Sequence, residues 1–235
     1  RRSSLSRVRY YRIFSHTGMI RVKRIAKSIL ARLAVLEFAR TVRRRIAGFL
    51  RTLPLSSEII GPPRRRSGST RGWINSAAPD QFSDRVLEFK TIEPSHMVER
   101  SLPSPVCQPV PDSFREFQNS SLAATFVAAI PDGRFFADYS ALAVVGPDDT
   151  LLDDLSLHFL GDQPDHPLLS RIKLPKVRSV PGTTAVLSAP FASNRYYHWM
   201  LDLLPRLELI EKAGYGWADV DHFIVNNTDH PYQRR

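Results

Sequence analysis

His198, Asp202 and Arg206 recur at every fourth position within residues 194–206, which read Asn-Arg-Tyr-Tyr-His-Trp-Met-Leu-Asp-Leu-Leu-Pro-Arg. On a helix turning about 100° per residue they drift by only about 40° per step, so the three side chains share one narrow face. A histidine beside a carboxylate is a pair suited to general-base chemistry or to donating a hydrogen bond, and an arginine on the same face suits a phosphate. Around this spine Tyr196, Tyr197, Trp199, Met200, Leu201, Leu203 and Leu204 project in nearly every other direction. The first two turns are therefore expected to be buried all round. Charges buried without partners are costly, so Asp202 should pair with His198, with Arg206 or with both. Residue types alone leave two readings open: a self-satisfied His-Asp-Arg ladder that orients the helix, or the wall of an active site. Pro205 lacks a backbone donor and crowds the preceding turn, which predicts a kink beside a cleft.

Positioning such a helix requires a strand before and after it. Residues 183–188, Thr-Thr-Ala-Val-Leu-Ser, read as a short buried strand, the helix runs to about Ala213 and stops at Gly214, and residues 222–226 read as a second strand. Strand, helix, strand is a βαβ unit, so an α/β fold with parallel strands is expected. Upstream, residues 124–130 and 134–139 are apolar runs joined by Pro131-Asp132-Gly133, where proline presets the backbone and glycine supplies positive φ. With residues 142–145 and the turn Gly146-Pro147-Asp148-Asp149, they predict a small antiparallel meander. Residues 61–69 combine helix breakers, like charges and small polar residues and read as a linker. Residues 72–118 are punctuated by proline and read as irregular, and a further linker-like interval spans residues 161–181.

Charge is segregated along the chain. Residues 1–71 hold 19 Lys and Arg against Glu37 and Glu58, a net of +17, which leaves 14 Lys and Arg against 21 Asp and Glu elsewhere, a net of −7. Over residues 22–50 apolar side chains fall at spacings of three and four with Lys and Arg on the other faces. This basic amphipathic helix could lie on an anionic membrane surface, extend as a solvated or disordered arm, or bind nucleic acid, the last being the weakest of the three. No stretch approaches the ~20 apolar residues needed to span a bilayer, and no signal-peptide core is present. The lone Cys107 excludes an internal disulfide and fits a reducing compartment. Asp148-Asp149 and Asp153-Asp154 sit beside turn signals and read as turn formers rather than as metal ligands. His158 and His166 look isolated, and no Gly-rich phosphate loop, zinc spacing or Gly-x-Ser-x-Gly elbow is present.

The stretch from Asn194 to Leu207 resembles the Asn-Tyr-Tyr-His-Trp-x-x-Asp-x-Leu-Pro-Arg-Leu signature of glycosyltransferase family 61, the capsular polysaccharide biosynthesis type. Residues 125–134 resemble the strand pair that precedes the signature, residues 151–156 the segment after that pair, and residues 221–226 with Pro231-Tyr232-Gln233 the later strand and turn. Arg195 is inserted between the asparagine and the tyrosines of the pattern. The resemblance spans residues 119–235 and implies a GT-B-like fold of which this chain holds the first Rossmann-like half only, preceded by the antiparallel meander, the irregular segment 72–118 and the basic arm 1–71. With a first residue that is not Met and an end just after a strand-like segment, a fragment is expected, inactive by itself. The resemblance further implies inverting, metal-independent transfer from a nucleotide sugar, as substrate and with no cofactor, to a polysaccharide or lipid-linked glycan acceptor. His198 and Asp202 would be catalytic, and Arg206, Asn194 and Tyr197 substrate-binding. The setting implied is cytoplasmic and peripheral at the inner membrane. The alternative is a non-catalytic binding or scaffold module whose basic arm grips anionic lipid or nucleic acid.

Overall fold

A computed structural model describes residues 35–36, 38–50, 63–76, 87–104, 109–139, 141–159, 165–172 and 174–234. The N-terminal part of the arm, most of the glycine- and proline-rich piece before Pro63, and Cys107 lie outside the described residues. In chain order the elements are α1 (described at residues 35–36 and 38–50), β1 (Arg65–Ser67), α2 (Thr70–Ser76), β2 (Glu88–Glu93), β3 (His96–Glu99), α3 (Asp112–Glu116), β4 (Asn119–Leu122), β5 (Thr125–Ala129), β6 (Arg134–Ala137), β7 (Ala141–Val145), β8 (Thr150–His158), β9 (Thr184–Val186), α4 (Tyr196–His198), α5 (Pro205–Lys212) and β10 (His222–Ile224). The fold is mixed α/β. A four-stranded sheet runs in the order β1-β8-β7-β6, and two-stranded sheets pair β2 with β5, β3 with β4 and β9 with β10.

The apolar run Ala-Leu-Ala-Val-Val of β7 is the centre of the larger sheet, and four of its five residues are buried. Ala143, Val145 and Leu151 close over Leu168 and Leu169, with Phe136 and Leu174 at the edge. The β7–β8 turn is held by Gly146 N–H to Thr150 O (2.8 Å) and Asp149 N–H to Gly146 O (3.1 Å), with Asp149 in the left-handed region at φ 67°. Gly146 is required for a different reason. A Cβ there would stand 2.6 Å from Cζ2 of the buried Trp73 ring, which lies on the turn and donates its Nε1–H to Asp148. Further along, the β7–β8 register slips between Leu142 and Val144, and the Ser156 hydroxyl bridges the irregularity by accepting from Val144 N–H (3.0 Å) and donating to Leu152 O (2.6 Å).

Three expectations need correction. Arg65–Ser67, expected in a linker, is a strand that pairs parallel with β8, Arg65 opposite Thr150 and Ser67 opposite Leu152. Arginines in and just before it meet aspartates of the β7–β8 hairpin and Asp165 beyond it: Arg66 binds Asp153 (2.5 Å) and Asp165 (3.0 Å), while Arg65 and Arg64 approach Asp148 and Asp149. The hydrogen bond that Arg66 donates to Asp153, reinforced by the charges of Asp153 and Asp165, raises the Arg66 pKa above its ordinary value. Asp154 accepts from both the amide (2.8 Å) and the hydroxyl (2.5 Å) of the buried Thr70, and Ser69 caps α2 through Gly72 N–H (3.2 Å). The hairpin aspartates thus do more than shape their own turns. Next, residues 72–118 are not irregular throughout, since they carry most of α2 and all of β2, β3 and α3. Finally, the segments flanking Pro131-Asp132-Gly133 do not pair with each other. β5 pairs with β2 instead, Glu88 opposite Ala129, and Asp132 rather than Gly133 takes the positive φ. The antiparallel meander is therefore β6-β7-β8.

The βαβ unit forms as expected, with β10 parallel to β9 and Phe223 opposite Ala185. Its helical segment ends at Gly214, φ 84°. Its core gathers Leu187, Ala189, Ala192, Trp199 and Leu203, packed by Leu207, Ile210, Val225 and Tyr232. Beyond α5, Tyr215 donates to Glu88 of β2 (2.6 Å) while Lys90 covers its ring at 4.2 Å. Burial, then this bond to a carboxylate, pushes the Tyr215 hydroxyl up to about 12. Glu88 is held below the ordinary carboxylate value, chiefly by the Tyr215 hydrogen bond.

His158 and His166 also depart from expectation, since their rings meet edge to face at 5.3 Å. Buried His166 accepts from Leu168 N–H at Nδ1 (3.1 Å) and so donates from Nε2 to Leu142 O (2.9 Å), an arrangement that needs the neutral ring. Burial, with His158 opposing a second charge, lowers its pKa from 6.5. The unfolded chain therefore takes up the proton first as pH falls. Stability should be fully present above pH about 6.5 and decline below it. Denaturation midpoints measured across this range should fall with acid, and His166→Leu should remove the contribution of residue 166 to that slope while lowering stability at neutral pH. Gly146→Ala should cost about 1–3 kcal/mol in chemical denaturation, because the Trp73 ring must move.

Candidate functional site

The candidate residues stand where β9 gives way to the helix. After buried Leu187, Ser188 and Ala189, the chain turns through residues 190–194, and Phe191 adopts φ 62°. A bulky aromatic residue in the left-handed region carries strain of about 1–3 kcal/mol, so its surroundings must hold it there. Phe191 N–H donates to Tyr139 O (3.1 Å), and its own carbonyl accepts from Arg195 N–H (3.1 Å). Its ring meets Tyr139 edge-on at 5.2 Å, Phe159 at 5.3 Å and His198 at 5.4 Å. Asn226 holds the entry to the turn by accepting from Ala189 N–H (3.0 Å). Gln233 holds its exit: the buried side-chain amide donates to Ala192 O and Ser193 O (3.2 Å each), while its oxygen accepts from His230 N–H (2.9 Å).

α4 then leads into a π-turn, Trp199–Leu203, in which Leu204 N–H reaches back five residues to Trp199 O (3.1 Å). The wider turn ends immediately before Pro205, which becomes the first residue of α5, where a missing N–H costs nothing. The expected kink at Pro205 is thus taken up by an inserted residue, a feature frequent at functional sites.

His198 and Asp202 join directly, Nδ1 to Oδ2 at 2.6 Å. With Nδ1–H donating to the carboxylate, Nε2 carries the lone pair and the dyad is set up as a base. Arg206 does not complete a side-chain ladder. Its Nε–H donates to the backbone carbonyl of Asp202 (2.9 Å), which leaves the terminal amino groups of the guanidinium without a further hydrogen bond among the described residues. Burial lowers the Arg206 pKa from its ordinary value, partly offset by nearby Asp202, yet it remains a cation at any pH of interest.

The expectation of all-round burial fails. Trp199 and Leu203 enter the core, whereas Tyr196, Tyr197, Met200 and Leu201 are exposed, as are Tyr139 and Phe159. Only one side of the helix enters the core, against Leu187, Ala189, Ala192 and Val225. Tyr197 stands edge-on to His198 at 5.3 Å, so the structure brings Tyr197, His198 and Asp202 together with Arg206 one turn away. Asn194 ends the turn, its amide directed to Phe191 O (3.4 Å), and no hydrogen bond joins its side chain to the dyad among the described residues. Sequence reasoning missed Phe191, Tyr139 and Phe159, since a phenylalanine is a poor candidate for positive φ and the three come from separate segments. Gln233 was visible only as part of the family resemblance.

No protein-family model, curated protein or solved structure matches the chain. Chemically, the site offers a positioned base, a half-buried cation and exposed aromatic rings. Gln233→Leu should leave three polar backbone groups without their partner and cost about 1–3 kcal/mol in denaturation. Hydrogen exchange at the Arg195 amide, held by the Phe191 carbonyl, should accelerate in that variant.

Proposed function

We propose that this chain forms the acceptor side of a sugar-transferring enzyme of the family 61 kind, acting in surface polysaccharide assembly. The observation that carries the reading is the 2.6 Å His198–Asp202 hydrogen bond, which leaves Nε2 as base inside the stretch that bears the signature. A glycan hydroxyl bound over the site would pass its proton to Nε2 as its oxygen attacks the anomeric carbon of a nucleotide sugar. The bond from that carbon to the diphosphate breaks, the nucleoside diphosphate leaves from the opposite face, and the configuration inverts. Asp202 then faces the imidazolium and stabilises it. The terminal amino groups of Arg206, without a further hydrogen bond among the described residues, suit the diphosphate, as a planar fork of N–H donors does. Exposed Tyr197 and the rings around Phe191 suit the apolar faces of a sugar ring. In a GT-B-like arrangement a second Rossmann-like half would face this surface and hold the donor.

The reading of a binding module through the basic arm draws less support, because Arg64, Arg65 and Arg66 are committed to aspartates of the body.

The test is release of nucleoside diphosphate from a panel of nucleotide sugars in the presence of glycan acceptors, using protein expressed from its complete gene. His198→Ala should lower the rate by about 10²–10⁴ with folding intact, and Asp202→Asn should shift the pH profile as well as the rate. Wild-type rates in both folded variants would overturn the assignment.

A further inference from the structure

Arg195 interrupts the signature, standing between Asn194 and the two tyrosines. Its backbone is fixed from both sides, since its N–H donates to Phe191 O (3.1 Å) and its carbonyl accepts from Trp199 N–H (3.1 Å). The side chain is exposed, and no hydrogen bond or ion pair reaches it among the described residues. Cations elsewhere in the body find acidic partners: Arg134 meets Asp149, Arg171 meets Asp138 and Lys90 meets Glu88. Within residues 195–212, Arg206 donates to Asp202 O and Lys212 binds Glu208, which leaves Arg195 as the arginine or lysine without a partner among the described residues.

Arg195 immediately precedes α4 and His198 closes it, a separation of three residues that sets their Cβ atoms about 5–6 Å apart on one side of the first turn. Arg206 lies eight residues beyond His198, about 12 Å along the axis. The base is therefore flanked by two guanidinium groups. We propose that Arg195 binds a carboxylate or phosphate carried by the glycan acceptor, so that the site selects acidic acceptors over neutral ones of the same shape. The inference rests on the sugar-transfer reading, which gives the donor diphosphate to Arg206. An acceptor hydroxyl at Nε2 then has the donor on the side of Arg206 and the rest of the acceptor on the side of Arg195. With about 16 Å of helix axis between their Cα atoms and the base in between, the two arginines serve different partners. A planar fork of N–H donors takes a carboxylate or a phosphate on two oxygens at once. Residues 72–235 carry a net charge of −7, 14 Lys and Arg against 21 Asp and Glu, so an acidic glycan needs such a cation beside the base to approach it.

Binding is measured by saturation-transfer NMR without donor, on protein expressed from its complete gene. The probes are trigalacturonate, its methyl ester, maltotriose and phosphorylated maltotriose. An acidic probe should bind about tenfold more tightly than its neutral counterpart. Arg195→Ala should remove that difference with circular dichroism unchanged, and Arg195→Lys should restore part of it. A preference for trigalacturonate over its ester identifies the anion as a uronic acid, and a preference for phosphorylated maltotriose over maltotriose identifies it as a phosphate. Equal binding of acidic and neutral probes, no binding of either, or a preference that survives Arg195→Ala would overturn the proposal. The sugar-transfer reading fails separately: a wild-type transfer rate in His198→Ala, with acidic probes still bound through Arg195, would sink that reading and leave the anion site standing.

Discussion

The structure turns on the left-handed backbone of Phe191. A phenylalanine holds such a conformation only where several contacts agree on it, and here they come from three places: Tyr139 before β7, Phe159 after β8, and His198 on α4. Its amide bonds Tyr139 and its carbonyl receives the start of the helix. One strained residue therefore joins the four-stranded sheet to the βαβ unit and fixes where the histidine stands. Gln233, arriving from beyond β10, ties off the same turn and makes the arrangement depend on residues about forty positions away.

A second constraint is electrostatic and sets the larger sheet. The β7–β8 hairpin carries four aspartates, and each meets a donor from residues 64–73. Individual exposed pairs contribute at most about 1 kcal/mol. Their effect here is cumulative and geometric, because the strand they capture also gains a ladder of backbone hydrogen bonds along the edge of β8. The charge segregation of the chain, basic first and acidic afterwards, thus has a structural use at the boundary between the two.

Part of this was legible in the residues. The βαβ unit, the end of its helix at Gly214, the β7–β8 turn and the pairing of His198 with Asp202 all rest on local rules of period, cap and i,i+4 reach. The partner of Arg206 was not. Whether it meets the carboxylate or the carbonyl of Asp202 depends on the register of a π-turn, and that register reflects how Trp199 and Leu203 seat in the core before Pro205.

What the sequence by itself determined is therefore short-range: the strand-helix-strand order of the βαβ unit, the stop of its helix at Gly214, and which neighbours on that helix touch. Only the tertiary structure decided that β5 pairs with β2 across residues 94–124, that an arginine-rich presumed linker is a parallel strand, and that Tyr196 and Tyr197 face outward. The physical reason is common to the three. Strand partners and exposed faces are set by which surfaces remain unoccupied after other segments have packed, and no window of consecutive residues contains that information.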